Sequence, residues 1–314
     1  MARRALRRPL TAVFLLLVLA GCASRAPEPA PQPPSAGAAF PVQLTMPGGQ
    51  QFRLDAEPQR IVSLTPSSTE TLFAIGAGEQ VVAVDEQSTY PQHAPRTELS
   101  GFTPNVEAIA QYTPDLVVAS NDLGGLVDGL SSAGIPVLLL PAPTELDGTY
   151  TEIELLGRAT GHTAAATALT GRMRSDIAKI VAQTPRPPRP LTYFHELDPT
   201  LYSANSNTFI GSVYTLFGLR NIADDAPDAA EGYPQLAAEA VLAADPDLIF
   251  LADTVCCGQT AQTVAARPGF AELTAVRRGG VVPLNDDVAS RWGPRVVDLV
   301  SDVSDAVAAA AAPG

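Results

Sequence analysis

Lysine is nearly absent from this chain: of its 314 residues only Lys179 is one, and every other basic side chain is arginine. Acids outnumber bases by 33 to 20, a formal net charge of −13. That balance excludes nucleic acid and anionic membrane surfaces as partners. Tryptophan occurs once, as Trp292, and cysteine and histidine three times each. So few cysteines exclude a framework of disulfides. There is no phosphate loop, no nucleophile elbow, no zinc-protease helix and no carboxylate pair at a meaningful spacing, so no enzyme class is indicated. The hydrophobic share of 46% is nonetheless enough for a substantial core, and the length allows two modest domains.

The N-terminus reads as an export signal. Arg3, Arg4, Arg7 and Arg8 precede an apolar run, 10–20, too short to span a bilayer comfortably. The run ends in LAGC at 19–22, a lipobox pattern that makes residues 1–21 a lipoprotein signal peptide and Cys22 the lipidated residue. Removing four of the 20 basic side chains leaves 16 against 33 acids, a mature charge of −17. Residues 22–39, rich in Pro, Ala and Ser, are then expected to form a disordered tether. The chain is expected on the extracytoplasmic face of the cell membrane, held by lipid alone.

The folded body carries an internal echo. EAIAQYTPDLVV at 107–118 aligns without gaps to EAVLAADPDLIF at 239–250. Each copy reads as a short helix opening on glutamate, a turn forced by Pro-Asp and a buried strand. A second echo sets TLF at 71–73 beside TLF at 215–217, each before a helix-ending glycine. Apolar runs at 60–64, 81–84, 115–119 and 137–140 alternate with helical stretches such as 68–75 and 121–132. Strands at 192–196, 248–252 and 281–284 repeat the pattern before a last helix at 294–311.

The expected fold class is therefore α/β: two Rossmann-like lobes, 40–145 and 185–314, with mostly parallel sheets. A linker helix over 146–184 joins them, its stretch 150–182 free of proline and rich in helix formers. Gly157 and Gly161 are expected to bend or interrupt it early. Lobes joined in this way enclose a cleft at their strand ends, where α/β sheets bind ligands.

Six segments carry a family resemblance: RIVSLTPSSTE at 60–70, VEAI at 106–109 before PDLVV at 114–118, LGRATG at 156–161, FGLRNI at 217–222, AVRRG at 275–279 and GPRVV at 293–297. Together, over roughly 59–308, they resemble the periplasmic binding proteins for ferric siderophores and cobalamin. The resemblance implies two lobes joined by one long helix and a role as the substrate-binding protein of an ABC importer. Its partners would be a permease, the permease's ATPase and a small metal-chelate ligand. It also implies an exposed permease-docking glutamate on each lobe, here Glu107 and Glu239, although a carboxylate in a first helical turn is favoured by the helix dipole in any case.

The family's ligand loops fall on Tyr90, Phe102, Tyr202 and Trp292, rings on which a large planar ligand could stack, with core or hinge packing as the other reading of the first three. Arg291 and Arg295 are candidates for an anionic ligand group, with helix capping or internal pairing as the alternative for Arg295. His195 and Glu196 end a strand expected to face the cleft, although neighbours on a strand point to opposite faces. Cys256 and Cys257 are adjacent and could form a vicinal disulfide in an oxidising compartment. A metal site from His195, Cys256 and Cys257 is the lesser reading, since no ligand spacing supports it. No resident cofactor is implied; iron or cobalt would belong to the cargo. Ferric siderophore, cobalamin and haem all remain open, with the acidic composition pointing mildly to cobalamin. The body is expected to be a monomer. A surface sensor, a scaffold or a metal-binding lipoprotein of the same fold is the alternative.

Overall fold

The computed structural model describes residues 40–312; the expected signal peptide, Cys22 and the tether lie outside them, as do the last two residues. A hairpin of β1 (Val42–Thr45) and β2 (Gln51–Leu54) opens the described chain. Lobe 1 follows as β3 (Ile61–Ser63), α1 (Pro66–Ala74), β4 (Val81–Asp85), β5 (Arg96–Leu99), α2 (Val106–Ala110), β6 (Leu116–Ala119), α3 (Leu126–Ser132) and β7 (Val137–Leu139). Two helices, α4 (Leu146–Ala159) and α5 (Thr163–Gln183), lead to lobe 2. That lobe holds β8 (Thr192–Glu196), α6 (Phe209–Thr215), β9 (Arg220–Asn221), α7 (Ala238–Ala244) and β10 (Leu248–Leu251). It ends with α8 (Ala261–Ala265), α9 (Thr274–Arg277), β11 (Val281–Pro283), α10 (Asp286–Ser290) and α11 (Val296–Ala311).

Both sheets are parallel. Lobe 1 has the order β5-β4-β3-β6-β7 and lobe 2 the order β11-β10-β8-β9. With the edge strand β5 set aside, each lobe runs second, first, third, fourth in chain order. The sequence echo is thus a duplicated topology. β6 and β10 are buried along their whole length because helices cover both faces of each sheet.

The duplication extends to single atoms. Thr113 and Asp245 precede the two Pro-Asp turns, and both adopt left-handed backbone, at φ 46° and 40°. Such values are costly for non-glycine residues, so the turn geometry itself is what the repeat preserves. The next aspartates hold the neighbouring strand in the same way. Asp115 accepts from the backbone N–H of Gln59 and Arg60 at 2.8 and 2.9 Å. Asp247 accepts from the backbone N–H of Thr192 at 2.9 Å and from the Arg189 guanidinium at 2.7 Å. The paired TLF segments end at Gly76 and Gly218, with φ of 89° and 68°.

The connector is broken at Gly161, as the sequence leads one to expect. Gly161 turns at φ 79°, so α4 and α5 are separate helices and the long span is α5 alone. Gly157 stays inside α4 and serves packing instead. A Cβ there would lie 2.3 Å from the Ala166 Cβ, so its bareness lets α5 cross closely. The helix expected at 121–132 shrinks to α3, because Gly124 and Gly125 both take left-handed backbone. One hydrophobic cluster runs from Val42 through the connector to Val307, joining both lobes through shared side chains. None of the helices among the described residues is long and apolar enough to cross a membrane.

Candidate ligand cleft

Parallel sheets leave their carboxyl strand ends open to a ligand. Here both sets of ends meet around a cleft of about 750 Å³. Lobe 1 contributes Leu64 to Ser67 after β3, Asp85 at the end of β4, Phe102 after β5 and Asn121 after β6. Lobe 2 contributes Ala252, Val255 and Cys256 after β10, and Asp286, Asp287, Ser290, Arg291 and Trp292 from α10 and its flanks.

The loop through α10 reaches across the lobe boundary. Arg291 donates to Glu70 at 3.0 Å, to the Gln87 carbonyl at 2.8 Å and to Asp287 at 2.6 Å. Asp287 in turn accepts the Thr89 hydroxyl at 2.7 Å. Arg295 donates to Glu70 through Nε and Nη2 and lies 4.4 Å from the Tyr90 ring centre. Trp292 donates its backbone N–H to Ser67 at 3.2 Å. Glu152 of α4 is pushed up to about 8 by burial, opposed by its interaction with the Trp292 side chain.

Acid dominates the cleft charge. Asp85, raised by burial, accepts the Ser88 hydroxyl in a buried chain that continues to Thr69 and Ser63. Asp286 accepts the backbone N–H groups of Thr254, Val255 and Cys256 at 2.8, 3.0 and 2.8 Å. Among the described residues Arg291 is the only basic one lining the cleft, and it is already paired.

Of the expected contacts, Phe102, Arg291 and Trp292 line the cleft, with Phe102 69% exposed. Tyr90 and Arg295 sit in the interlobe seam instead, and Arg295 pairs internally with Glu70. Tyr202 is exposed and bridges to Gln235 within lobe 2, away from the cleft lining. The expectation that His195 and Glu196 face the cleft is corrected: both are fully buried. They point to opposite faces of a sheet covered on both sides. Nδ1 of His195 meets the Tyr214 hydroxyl at 2.8 Å, and burial pushes the imidazole down to about 3, so it stays neutral. Glu196 is gripped by Arg267 at 2.6 and 2.5 Å. Beside it, Asp253 is pushed up to about 7, mainly by burial and then by the Glu196 charge.

Cys256 and Cys257 are joined in a vicinal disulfide, so neither offers a free thiolate. With His195 inside lobe 2, the three candidate metal ligands do not converge. Among the described residues no cluster of three or more His, Cys, Asp or Glu side chains could hold a metal. Glu107 and Glu239 occupy the matching first turns of α2 and α7, both exposed and without an ion-pair partner among the described residues.

Sequence reasoning misses Asp286, Asp287, Glu70 and Glu152. An acidic pair directly after a strand end is the one available signal, at Asp286 and Asp287; the partners of Glu70 and Glu152 are too distant in the chain to be read.

Residues 61–288 match the model of the periplasmic binding protein family. The cobalamin-binding protein of Halobacterium salinarum is 36% identical over 313 residues, spanning 93% of this chain and 84% of its own. The uncharacterized ABC transporter substrate-binding lipoprotein YvrC of Bacillus subtilis is 31% identical over 300 residues, spanning 93% of each chain. Among solved structures, the apo periplasmic heme-binding protein RhuT from Roseiflexus sp. RS-1 superposes with a TM-score of 0.73 at 26% identity, over 81% of this chain and 99% of its own. The duplicated parallel lobes, the cleft at their strand ends and these matches over most of the chain have one reading: the chain belongs to the periplasmic binding protein family.

Proposed function

We propose that this chain is the extracytoplasmic substrate-binding protein of an ABC importer and that its cleft takes a cobalamin. The observation that carries the ligand is what the cleft lining lacks among the described residues. Haem iron is held by His, Tyr, Met or a Cys thiolate. The lining contains none of the first three, and its one cysteine is tied in a disulfide. An anionic ferric siderophore calls for unpaired cations, whereas Arg291 is neutralised by Glu70 and Asp287 beside two further lining aspartates, Asp85 and Asp286. A corrinoid brings its own axial base and presents a broad ring edged with neutral amides. Phe102 and Trp292 offer such a ring apolar faces, and the aspartates accept amide N–H groups. The cobalamin-binding relative at 36% identity agrees.

Three further assignments belong to this reading. Cys22 carries the lipid that tethers the body, in line with the lipoprotein relative. Glu107 and Glu239 meet the permease. The protein delivers its ligand unchanged to the permease, a role in keeping with the match to the periplasmic binding protein family. The test is calorimetric titration of the lipid-free body with cyanocobalamin, haemin and a ferric hydroxamate, alongside Trp292 fluorescence. Saturable 1:1 binding of cyanocobalamin alone is expected. Preference for either of the other two overturns the ligand assignment.

A further inference from the structure

The Cys256–Cys257 bond needs an explanation that stability does not supply. A disulfide stabilises chiefly by closing a long loop in the unfolded chain, and adjacent residues close none. Both cysteines are exposed, so the bond does not staple the core. What surrounds it is a built turn. The three successive amides from Thr254 to Cys256 converge on the Asp286 carboxylate, and the Thr254 hydroxyl donates to the Leu284 carbonyl at 2.6 Å. Gly258 turns the chain away at φ 65°, and the Gln259 N–H closes the loop on the Asp253 carbonyl at 3.3 Å. This framework presents Val255 to solvent at 72% exposure, with Cys256 beside it in the cleft lining. An exposed valine fixed at a cleft wall buries nothing within the protein, so its apolar surface is available to a ligand.

We propose that the vicinal disulfide turn is the ligand-contact wall of lobe 2: it holds Val255 and Cys256 rigid against a planar ligand whose other side meets Phe102 of lobe 1. This rests on the cleft being the binding site, as argued above. The bond suits that role chemically. An oxidised pair is apolar and polarisable, favours contact with π-systems and has no donor left unsatisfied. Two free thiols would add weak donors and release the side-chain torsions that the bond holds. Preorganisation of this kind strengthens binding by removing the cost of ordering the wall on contact.

The experiment compares wild type, C256S/C257S and C256A/C257A by calorimetric titration with cyanocobalamin. Binding at least tenfold weaker in both variants is expected, with the melting temperature unchanged. A second arm keeps the native residues. Tris(2-carboxyethyl)phosphine reduces the bond, water supplying the oxygen taken by phosphorus and the protons of the two thiols, and the reagent is removed under nitrogen before titration. The reduced wild type should show the same loss and recover on reoxidation. Unchanged affinity in the reduced wild type overturns the inference, whatever the variants do. If wild type prefers haemin or the ferric hydroxamate, the ligand assignment fails and the comparison is made with that ligand. Failure of wild type to bind any of the three removes both readings.

Discussion

Arg295 of lobe 2 forks its Nε and Nη2 onto the Glu70 carboxylate of lobe 1, at 2.8 and 2.5 Å, and Arg291 completes the cluster at 3.0 Å. The Glu70 side chain is 1% exposed and that of Arg291 10%. Removing Glu70 leaves Arg295 charged and without a carboxylate, with Arg291 held by Asp287 alone, and breaking a buried pair in this way typically costs about 3–5 kcal/mol. Glu70→Gln should therefore lower unfolding free energy by about that amount in urea titration. A loss below about 1 kcal/mol would show the cluster to be incidental.

Phe102 has the opposite profile, exposed and holding nothing in place. Phe102→Ala should leave the melting temperature unchanged and weaken cobalamin binding about tenfold, roughly 1.4 kcal/mol. Equal affinity by calorimetry would remove Phe102 from the contact surface.

Glu152 makes stability depend on pH in a defined sense. Its folded pKa is about 8 against an ordinary 4.5, chiefly through burial. Between those values the folded state keeps a proton that the unfolded chain has released. Stability from this group is therefore greatest at low pH and falls as pH rises toward 8, by up to roughly 1.4 kcal/mol per unit. Unfolding measured from pH 5 to pH 9 should fall less steeply for Glu152→Gln than for wild type. Because the carboxyl interacts with the side chain of the sole tryptophan, wild-type fluorescence should also titrate near pH 8. Identical slopes in the two proteins would contradict the assignment.

Glu107 and Glu239 lie outside the cleft lining, so transport and binding can be separated. Glu107→Arg with Glu239→Arg should abolish uptake in cells that carry the cognate permease. The purified variant should still bind cobalamin with wild-type affinity. Lost binding would mean the two glutamates serve the fold or the ligand instead.

The duplicated architecture is legible in the sequence because its marks are local. A Pro-Asp turn constrains backbone within four residues, and a strand buried on both faces must be apolar throughout, so 114–118 and 246–250 can be read without a partner in view. The pairs that decide the site are separated by hundreds of residues. From sequence, Arg291 and Arg295 are both candidates for ligand contact and only Arg295 is open to internal pairing; the structure joins both to Glu70, 221 and 225 residues away. His195 and Glu196 are misplaced by sequence for a related reason. Strand alternation tells that they diverge, but not that Tyr214 and Arg267 stand on the two sides to cover them.

The interlobe ion cluster also bears on how fast a ligand is captured. Its charges bridge the lobes beside the cleft, and one hydrophobic cluster runs through both lobes and the connector. Lobes held together by the protein's own side chains in this way leave no hinge motion to complete once a ligand has entered. Association should therefore trace a single exponential in stopped-flow, its rate rising in proportion to ligand concentration without a plateau. The time spent bound, governed by dissociation, would then set the affinity.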